Sequence, residues 1–293
     1  MVARNLKVFW RDPMTVFFSL VGPLVMVVLF VLFLRKMMVQ TIANYLGLND
    51  LANVYGLCDA WMIASVTTMA TLSASLGMLT AFVEDRVSGR FSDYLVSPIR
   101  RWQLASGYVI AVLAVGLVVA LVIFVTGQGW MLMSGQALMN TGQWLSVLGA
   151  IALSALTFAA FNTLVVTFTR TQGSYGGLSL VLGTAMGFLS FCYATPQTLD
   201  ESVTSVLSLL PFAQAAALIR DPALTPAAQA LLNEVLPTAD KSGDALQDLM
   251  ESIAARLVVD GQDLTNWMII GSLSGLTLVF GVLASWRMGR IIR

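Results

Sequence analysis

The chain has no histidine and few charged residues. Charged residues make up only 11% of its 293 residues, whereas an ordinary soluble domain has about 25%. Lys+Arg and Asp+Glu each number 16, so the formal net charge is zero and no basic surface for nucleic acid is expected. The lack of histidine removes histidine-based metal sites and most acid–base chemistry. Composition therefore argues against a soluble enzyme and against a nucleic-acid-binding protein.

Cysteine and catalytic motifs are also scarce. Cys58 and Cys192 are too few and too far apart for a zinc or redox motif. Both are expected near the outer face of a membrane, and the sequence leaves open whether they form a disulfide there. The phosphate-binding pattern G-x-x-x-x-G-K-[ST] is missing, as are G-x-S-x-G and H-E-x-x-H. We expect no catalytic residue, no metal site and no directly bound cofactor.

Long apolar runs dominate the sequence instead. Hydrophobic residues make up 57% of the chain and the mean hydropathy is +0.81. A bilayer core of about 30 Å needs about 20 apolar residues in a helix. The sequence predicts one all-α integral membrane domain over residues 1–293 with six transmembrane helices. These are Met14–Leu34, Leu57–Val83, Leu104–Met133, Trp144–Phe168, Tyr175–Ala194 and Trp267–Trp286.

Basic residues that flank these spans predict the orientation. One side carries Arg4, Lys7, Arg11, Arg86, Arg90, Arg100, Arg101, Arg170, Arg287, Arg290 and Arg293. The other side carries Arg35, Lys36, Arg220, Lys241 and Arg256. The excess on the first side predicts that both termini are cytoplasmic. Residues 195–266, which hold ten carboxylates and three cations, would then lie outside the cell.

The predicted outer segment contains a run of apolar residues with helical spacing. Leu246, Leu249, Met250, Ile253 and Leu257 recur with helical spacing and predict an amphipathic helix. It would pack on the outer ends of the bundle or on the membrane surface; a lid or a partner-docking helix is the alternative.

Ionisable residues are missing from the interiors of the last four predicted spans, which disfavours a proton-driven transporter. Asp59, at the outer end of the second span, is expected to be a solvated helix-end residue.

The predicted cytoplasmic loop over residues 84–103 alternates charged and apolar residues. As a short helix ended by Pro98, it places Val87, Phe91, Tyr94 and Leu95 on one side. Such a helix could dock into a groove of a soluble partner, or it could lie at the membrane interface with ordinary basic anchors. The residues alone favour neither interpretation.

Residues 1–13 predict a short helix before the first span. Leu6, Phe9 and Trp10 alternate with basic residues there, which favours a helix at the cytoplasmic surface whose cations reach the headgroups. A helix that relays motion from a partner is the alternative.

Three stretches of the sequence resemble the permease subunits of ABC-2 type exporters, the bacterial drug, antibiotic and polysaccharide exporter family. They are Arg4–Pro13, which ends in Arg-Asp-Pro, the loop Glu84–Arg101, and Leu209–Arg220, which runs from Pro-Phe to Arg. The resemblance extends over the whole chain in its order of six spans. The segment 195–266 departs from it, since it is longer than the versions typical of the family.

The resemblance implies a six-helix bundle with an N-terminal interfacial helix and a cytoplasmic coupling helix. It also implies a homo- or heterodimer in the bacterial plasma membrane, driven by separate cytosolic ATPase subunits that bind ATP-Mg. The coupling residues would be Glu84, Arg86, Gly89, Arg90, Phe91, Leu95, Pro98, Arg100 and Arg101. The N-terminal helix would contribute Arg4, Lys7, Arg11 and Asp12, and the outer motif Pro211, Phe212 and Arg220.

The expected function is therefore that of the membrane subunit of an ATP-driven exporter. A conduit between two copies, lined by apolar and small residues, would suit an amphipathic small molecule, drug, peptide or lipid-like substrate. The glycines considered for this lining or for close helix packing are Gly116, Gly127, Gly173, Gly176, Gly177, Gly183 and Gly187. The alternative is a membrane anchor or assembly protein whose outer segment binds an extracellular partner. A channel is disfavoured because the middle spans supply no charged rings.

Overall fold

The computed structural model describes residues 1–46, 51–91, 101–136, 138–235, 242–259 and 261–291. Within these ranges the chain is almost entirely helical. The helices are α1 (Val2–Arg11), α2 (Pro13–Leu29), α3 (Arg35–Leu46), α4 (Ala52–Val87), α5 (Arg101–Met133), α6 (Thr141–Val166), α7 (Gln172–Leu189), α8 (Glu201–Ser208), α9 (Pro211–Val235), α10 (Ser242–Ser252) and α11 (Asn266–Ile291).

Shorter elements complete the fold. A π-helical turn, Phe30–Leu34, joins α2 to α3, and a 3₁₀ turn, Pro196–Thr198, precedes α8. The strands β1 (Val258–Val259) and β2 (Gln262–Asp263) pair antiparallel, with Val258 opposite Asp263. These strands are too short to change the all-α class.

Five helical stretches are long and apolar enough to cross a membrane: Pro13–Asn44, Ala52–Val87, Gln103–Met133, Thr141–Val166 and Asn266–Ile291. They coincide with the first, second, third, fourth and sixth predicted spans, so the helical membrane class is confirmed. The fifth predicted span corresponds to α7, whose 18 residues extend about 27 Å and which does not meet the same test. The pair α8 and α9, bent by 84°, is a further candidate. The count of six therefore stays a prediction.

Helix α4 is the centre of the bundle, and 83% of its most apolar stretch is buried. It packs against α2, α5, α6, α7 and α9. Small and hydroxyl-bearing residues allow this close packing, because they let neighbouring backbones approach. Their hydroxyls donate to carbonyls of the preceding turn, as Thr67 does to Ile63 (2.7 Å) and Thr68 to Ala64 (2.9 Å). These buried hydroxyl groups are thus satisfied within the helix itself.

The segment between α7 and α11 is more buried in the protein than its many carboxylates suggest. Helix α9 is buried along most of its length and contacts α4 and α6. The predicted amphipathic helix is shorter than expected, because α10 ends at Ser252 and Ala254 takes a left-handed backbone with φ 53°. Leu249, Met250, Ile253 and Leu257 are nevertheless all buried. The prediction of a buried apolar side was correct, but the prediction of one continuous helix was wrong.

Close packing between α4 and α5 gives a test of the fold. A Cβ atom at Gly116 would lie 2.7 Å from Ser75 Oγ and 3.1 Å from the Thr71 carbonyl oxygen. Gly116→Ala should therefore destabilise the protein by roughly 1–3 kcal/mol, because the two helices must separate. Thermal unfolding in detergent measures the change.

Gly129 on the same helix is the matched control, since a Cβ there meets nothing within 4 Å. Gly129→Ala should not lower the unfolding temperature and should raise it slightly, because alanine favours a helix more than glycine does. Equal effects of the two substitutions would contradict the packing of α5 on α4.

Candidate functional site

A buried carboxylate joins the N-terminal helix to the bundle. The Asp85 side chain, on the last turns of α4, is only 1% exposed. Arg4 of α1 donates to both of its oxygens, at 2.7 and 2.9 Å. The pKa of Arg4 lies above the ordinary guanidinium value because its side chain donates to Asp85. The bidentate geometry fixes the orientation of α1 on α4.

Two more groups complete the shell of Asp85. The Tyr108 hydroxyl, on α5, donates to one carboxylate oxygen, and Arg90, just beyond the end of α4, donates to the other at 3.1 Å. The carboxylate thus connects α1, α4, α5 and the start of the predicted coupling loop. We call this the Asp85 cluster: Arg4, Asp85, Arg90 and Tyr108.

Sequence reasoning chose Glu84 and missed Asp85 and Tyr108. Glu84 instead lines a groove on the other side of α4. The two acids are adjacent in the sequence, so their side chains leave α4 in different directions. Asp85 faces α1 and α5, whereas Glu84 faces the groove. The available signal was an acid near the end of an apolar span together with an arginine in a short preceding helix.

Phe91 faces neither a partner nor the membrane interface, which were the two surroundings predicted for the loop helix. Phe91 is buried at 8% exposure, and its ring centroid lies 5.4 Å from that of Phe82 and 6.3 Å from that of Tyr108. The reason is the turn at Ser88 and Gly89, where Gly89 has φ +76°, a conformation that favours glycine. This turn directs Phe91 into the protein, whereas Val87 stays 52% exposed.

The remaining predicted residues of this side occupy several environments. Arg86 donates to the Thr169 carbonyl oxygen at 2.6 Å. Lys7 and Arg11 are exposed on α1. Leu95, Pro98 and Arg100 lie outside the described residues, as does the side chain of Arg101.

Asp12 caps the N-terminus of α2. It accepts from the backbone N–H groups of Met14 and Thr15, and from the Thr15 hydroxyl at 2.6 Å. The pKa of Asp12 is lowered, chiefly by the Thr15 hydroxyl. Asp12 thus fixes the corner between α1 and the first span.

A buried cation organises the opposite end of α4. Arg220, on α9, is 0% exposed and forms no ion pair within the described ranges. It donates to Ser65 Oγ at 2.9 Å and to the carbonyl oxygens of Phe191 and Ala254, both at 3.3 Å. Its guanidinium lies 5.1 Å from the centre of the Trp61 ring. The sequence placed Arg220 in the outer segment but did not predict its burial.

The acceptors of Arg220 explain how a cation is stabilised without a carboxylate. Phe191 and Ala254 each lie two residues beyond a helix end, that of α7 and that of α10, and they are the described non-glycine residues with positive φ, 55° and 53°. The carbonyl end of a helix carries a partial negative charge. Two helix ends therefore converge on one guanidinium, and this contact offsets the cost of two left-handed residues.

Other residues at this end of α4 support the arrangement. Trp61 donates from Nε1 to the Ile253 carbonyl oxygen at 2.9 Å. Pro211 begins α9, and the Phe212 ring stacks on Phe158 with centroids 5.9 Å apart. We call Trp61, Ser65, Cys192 and Arg220 with their carbonyl acceptors the Arg220 cluster.

Two expectations on this side require correction or completion. Asp59 is not a solvated residue, since it is only 6% exposed. It accepts hydrogen bonds from Arg35, the first residue of α3, at 2.8 and 2.9 Å. Cys58 and Cys192 are both free and buried, so the disulfide left open by the sequence is not formed. Cys192 Sγ instead lies 3.1 Å from Arg220 Nη2.

A groove of about 590 Å³ runs between α2, α4 and α7. Its walls combine apolar side chains with hydroxyls and glycines, including Phe18, Ser73, Tyr175, Gly176 and Gly183. This mixture suits an apolar or amphipathic occupant.

The glycines divide into two groups. A Cβ at Gly116, Gly127 or Gly187 would meet a neighbouring side chain within 3 Å, so these three serve packing. Gly173, Gly176, Gly177 and Gly183 have nothing within 4 Å of that position. Helix α7 therefore presents an open face of small residues. Across the described ranges, no cluster of three or more His, Cys, Asp or Glu side chains could hold a metal ion.

These features define a helical membrane protein whose long spans surround one buried helix with an ion-paired cluster at one end and a buried cation at the other. The chain matches the family model described as ABC-2 family transporter protein over residues 35–286, which is most of its length. The chain belongs to this family, as its resemblance in sequence implied. Helix α1 lies outside the matched range. No curated protein matches the chain.

The Asp85 cluster gives a first prediction. Asp85→Asn should lower the free energy of unfolding by roughly 2 kcal/mol, because Arg4 and Arg90 lose a charged acceptor. The measurement is thermal or chemical unfolding in detergent, with Arg4→Gln and the double variant completing a double-mutant cycle. The double variant should cost less than the sum of the single ones.

Glu84→Gln is the matched control, since it removes the adjacent carboxylate without touching the cluster. It should change stability by no more than about 0.5 kcal/mol. Additive effects of the Arg4 and Asp85 substitutions would contradict the proposed ion pair.

The Arg220 cluster gives a second prediction. In a Cys58→Ala background, Arg220→Met should make Cys192 react with a maleimide about tenfold faster, because the turns that cover the thiol lose their common donor. Arg256→Met, which removes a half-exposed arginine paired with Asp221 in the same segment, is the control. If both variants leave Cys192 equally protected, Arg220 does not hold the two helix ends together.

Proposed function

We propose that this chain is the membrane subunit of an ATP-driven exporter and is moved by separate cytosolic ATPase subunits. Membership of the ABC-2 transporter family supports a membrane transport component. The observation that carries the proposal is the Asp85 cluster. A force on the chain that follows α4 would act on Arg90, and through Asp85 on α1, α4 and α5 together.

The contact surface for the ATPase would begin where α4 ends. Val87 is exposed there, next to the Ser88-Gly89 turn, whereas Phe91 is buried in the bundle. In this proposal residues 84–103 receive the motion of the ATPase, and α1, fixed by Arg4 and Asp12, turns with them. ATP-Mg would be bound by the ATPase and not by this chain.

The conduit would form between two copies of the chain, or between this chain and a paralogue. Helix α7 supports this, because Gly176 and Gly183 line the groove beside α2, and a Cβ atom at either would meet no atom of the described residues within 4 Å. A neighbouring subunit could approach closely at such a face. The walls of the groove favour an amphipathic or lipid-like substrate, with drugs and apolar peptides in the same class.

The proposed orientation places both termini in the cytoplasm of a bacterial cell. It requires an even number of crossings, and α7 or the bent pair of α8 and α9 would supply the sixth. The Asp85 cluster would then lie at the cytoplasmic end of α4 and the Arg220 cluster at the outer end.

Co-purification of the ATPase encoded beside this chain tests the proposal. Val87→Asp should reduce both the association of the ATPase and its stimulated hydrolysis by at least about tenfold, because a charge replaces an exposed apolar contact. Val203→Asp is the control, since Val203 is 45% exposed on α8, on the proposed outer side. An unchanged Val87 variant, or the absence of any associated ATPase, would contradict the proposal.

A further inference from the structure

Three arginines from separate elements meet at one end of the bundle. Arg86 lies on the last turn of α4, Arg170 in the connection between α6 and α7, and Arg287 near the end of α11. None of them belongs to the Asp85 cluster. We call them the arginine triad.

Contacts with residues 167–169 hold the triad together. Arg86 Nη1 donates to the Thr169 carbonyl oxygen at 2.6 Å, and Arg287 Nε donates to Thr167 Oγ1 at 3.0 Å. The Arg287 guanidinium also lies 3.8 Å from the centre of the Phe168 ring. Arg170 follows directly and is exposed. Two of the guanidinium groups are thus positioned by contacts with the protein, and Arg170 is exposed beside them.

No arginine of the triad forms an ion pair in the part of the chain that the structure describes. The positive charges of Arg170 and Arg287 both repel Arg86. The four ion pairs of the described ranges involve Arg4, Arg35, Arg90 and Arg256 instead. Asp85 is the neighbour of Arg86 in the sequence, but it is already surrounded by its own donors. An external anion would relieve this repulsion.

The surroundings of the triad indicate where that anion lies. Phe168 and Trp286 are 61% and 55% exposed, and Arg290 lies 3.8 Å from the centre of the Trp286 ring. Exposed aromatic rings with arginines at helix ends are typical of the membrane–water interface. From there α11 presents exposed Leu278, Val279 and Val282 towards the membrane interior, and only 17% of its most apolar stretch is buried.

We propose that the arginine triad binds the phosphate of an anionic phospholipid, whose acyl chains lie along the exposed face of α11. The phosphate accepts hydrogen bonds from guanidinium groups, which match its geometry. Phe168 and Trp286 flank the headgroup, and the apolar side chains of α11 contact the lipid tail. The site links α4, α6 and α11 through one ligand.

Lipid titration of the full chain in lipid-depleted detergent micelles tests this site. Dioleoylphosphatidylglycerol should raise the unfolding temperature saturably, and dioleoylphosphatidylcholine should not. Arg170→Gln, which removes no described contact, should weaken the apparent affinity about fivefold, and Arg170→Gln with Arg287→Gln about 25-fold. Lys7→Gln with Arg11→Gln is the control of equal charge loss, since both residues are exposed on α1; it should change the affinity less than about twofold.

Each alternative has its own result. Inorganic phosphate that protects the wild type, competes with the anionic lipid and loses its effect in the double variant would support the same phosphate site, with a free anion as a second ligand. Equal weakening in the α1 control would overturn the proposal in favour of diffuse surface charge. Unchanged lipid binding in the double variant, together with lost association of an ATPase, would overturn it in favour of a protein-docking surface.

Discussion

The Asp85 carboxylate is the interaction on which the packing at one end of the bundle depends. A carboxylate that is 1% exposed is costly unless every lone pair is engaged, and here two arginines and a tyrosine supply the donors. The same donors come from α1, α5 and the chain beyond α4. Satisfying one buried charge therefore fixes the position of three parts of the structure, including a helix that lies outside the range matched by the family.

The two ends of α4 solve the problem of buried charge in different ways. At one end an anion is neutralised by cations. At the other, Arg220 is stabilised by the carbonyl ends of α7 and α10, a hydroxyl, a thiol and an aromatic face. Ser65 and Asp85 are separated by twenty positions of one helix, or about 30 Å, which is the thickness of a bilayer core. The clusters are thus spaced to hold α4 at both membrane surfaces, with uncharged packing between them.

Apolar composition was enough to predict the helical membrane class and the position of five long spans, because lipid permits few other structures. It also predicted a helix at α7, whose serines and glycines weaken the apolar signal, so that its role as a span stays a prediction. Composition was not enough for α9, whose burial reflects alanines that pattern analysis does not distinguish from a surface helix. The sequence grouped Phe91 with Val87 on one side of a helix, but in the structure Phe91 is buried and Val87 is 52% exposed. Periodicity does not tell whether a side chain faces a partner or the protein itself. Gly89 decides this through a turn that is visible only in the structure.

Charged residues were the least predictable. Glu84 and Asp85 are the same chemical type at adjacent positions, and Asp59 and Arg35 are distant in sequence, so their roles follow from helix rotation and packing. A buried arginine without a carboxylate has no sequence signature, since its acceptors are backbone carbonyls. The family resemblance pointed to three regions, Arg4–Pro13, Glu84–Arg101 and Leu209–Arg220, whose functional roles stay predictions. Within each of them the structure identifies the residue that carries the main contact.

The central claim is that two such subunits face each other across α7 and are moved by a cytosolic ATPase. The most direct measurement is the distance between spin labels at Leu180→Cys, which is 68% exposed on α7, by pulsed electron paramagnetic resonance. The sample is the complex with its ATPase in lipid nanodiscs, with and without ATP-Mg, in a background without Cys58 and Cys192. The account predicts one defined distance between copies that changes when ATP-Mg binds. A complex with no coupling between labels, or with a distance that nucleotide leaves unchanged, would contradict it.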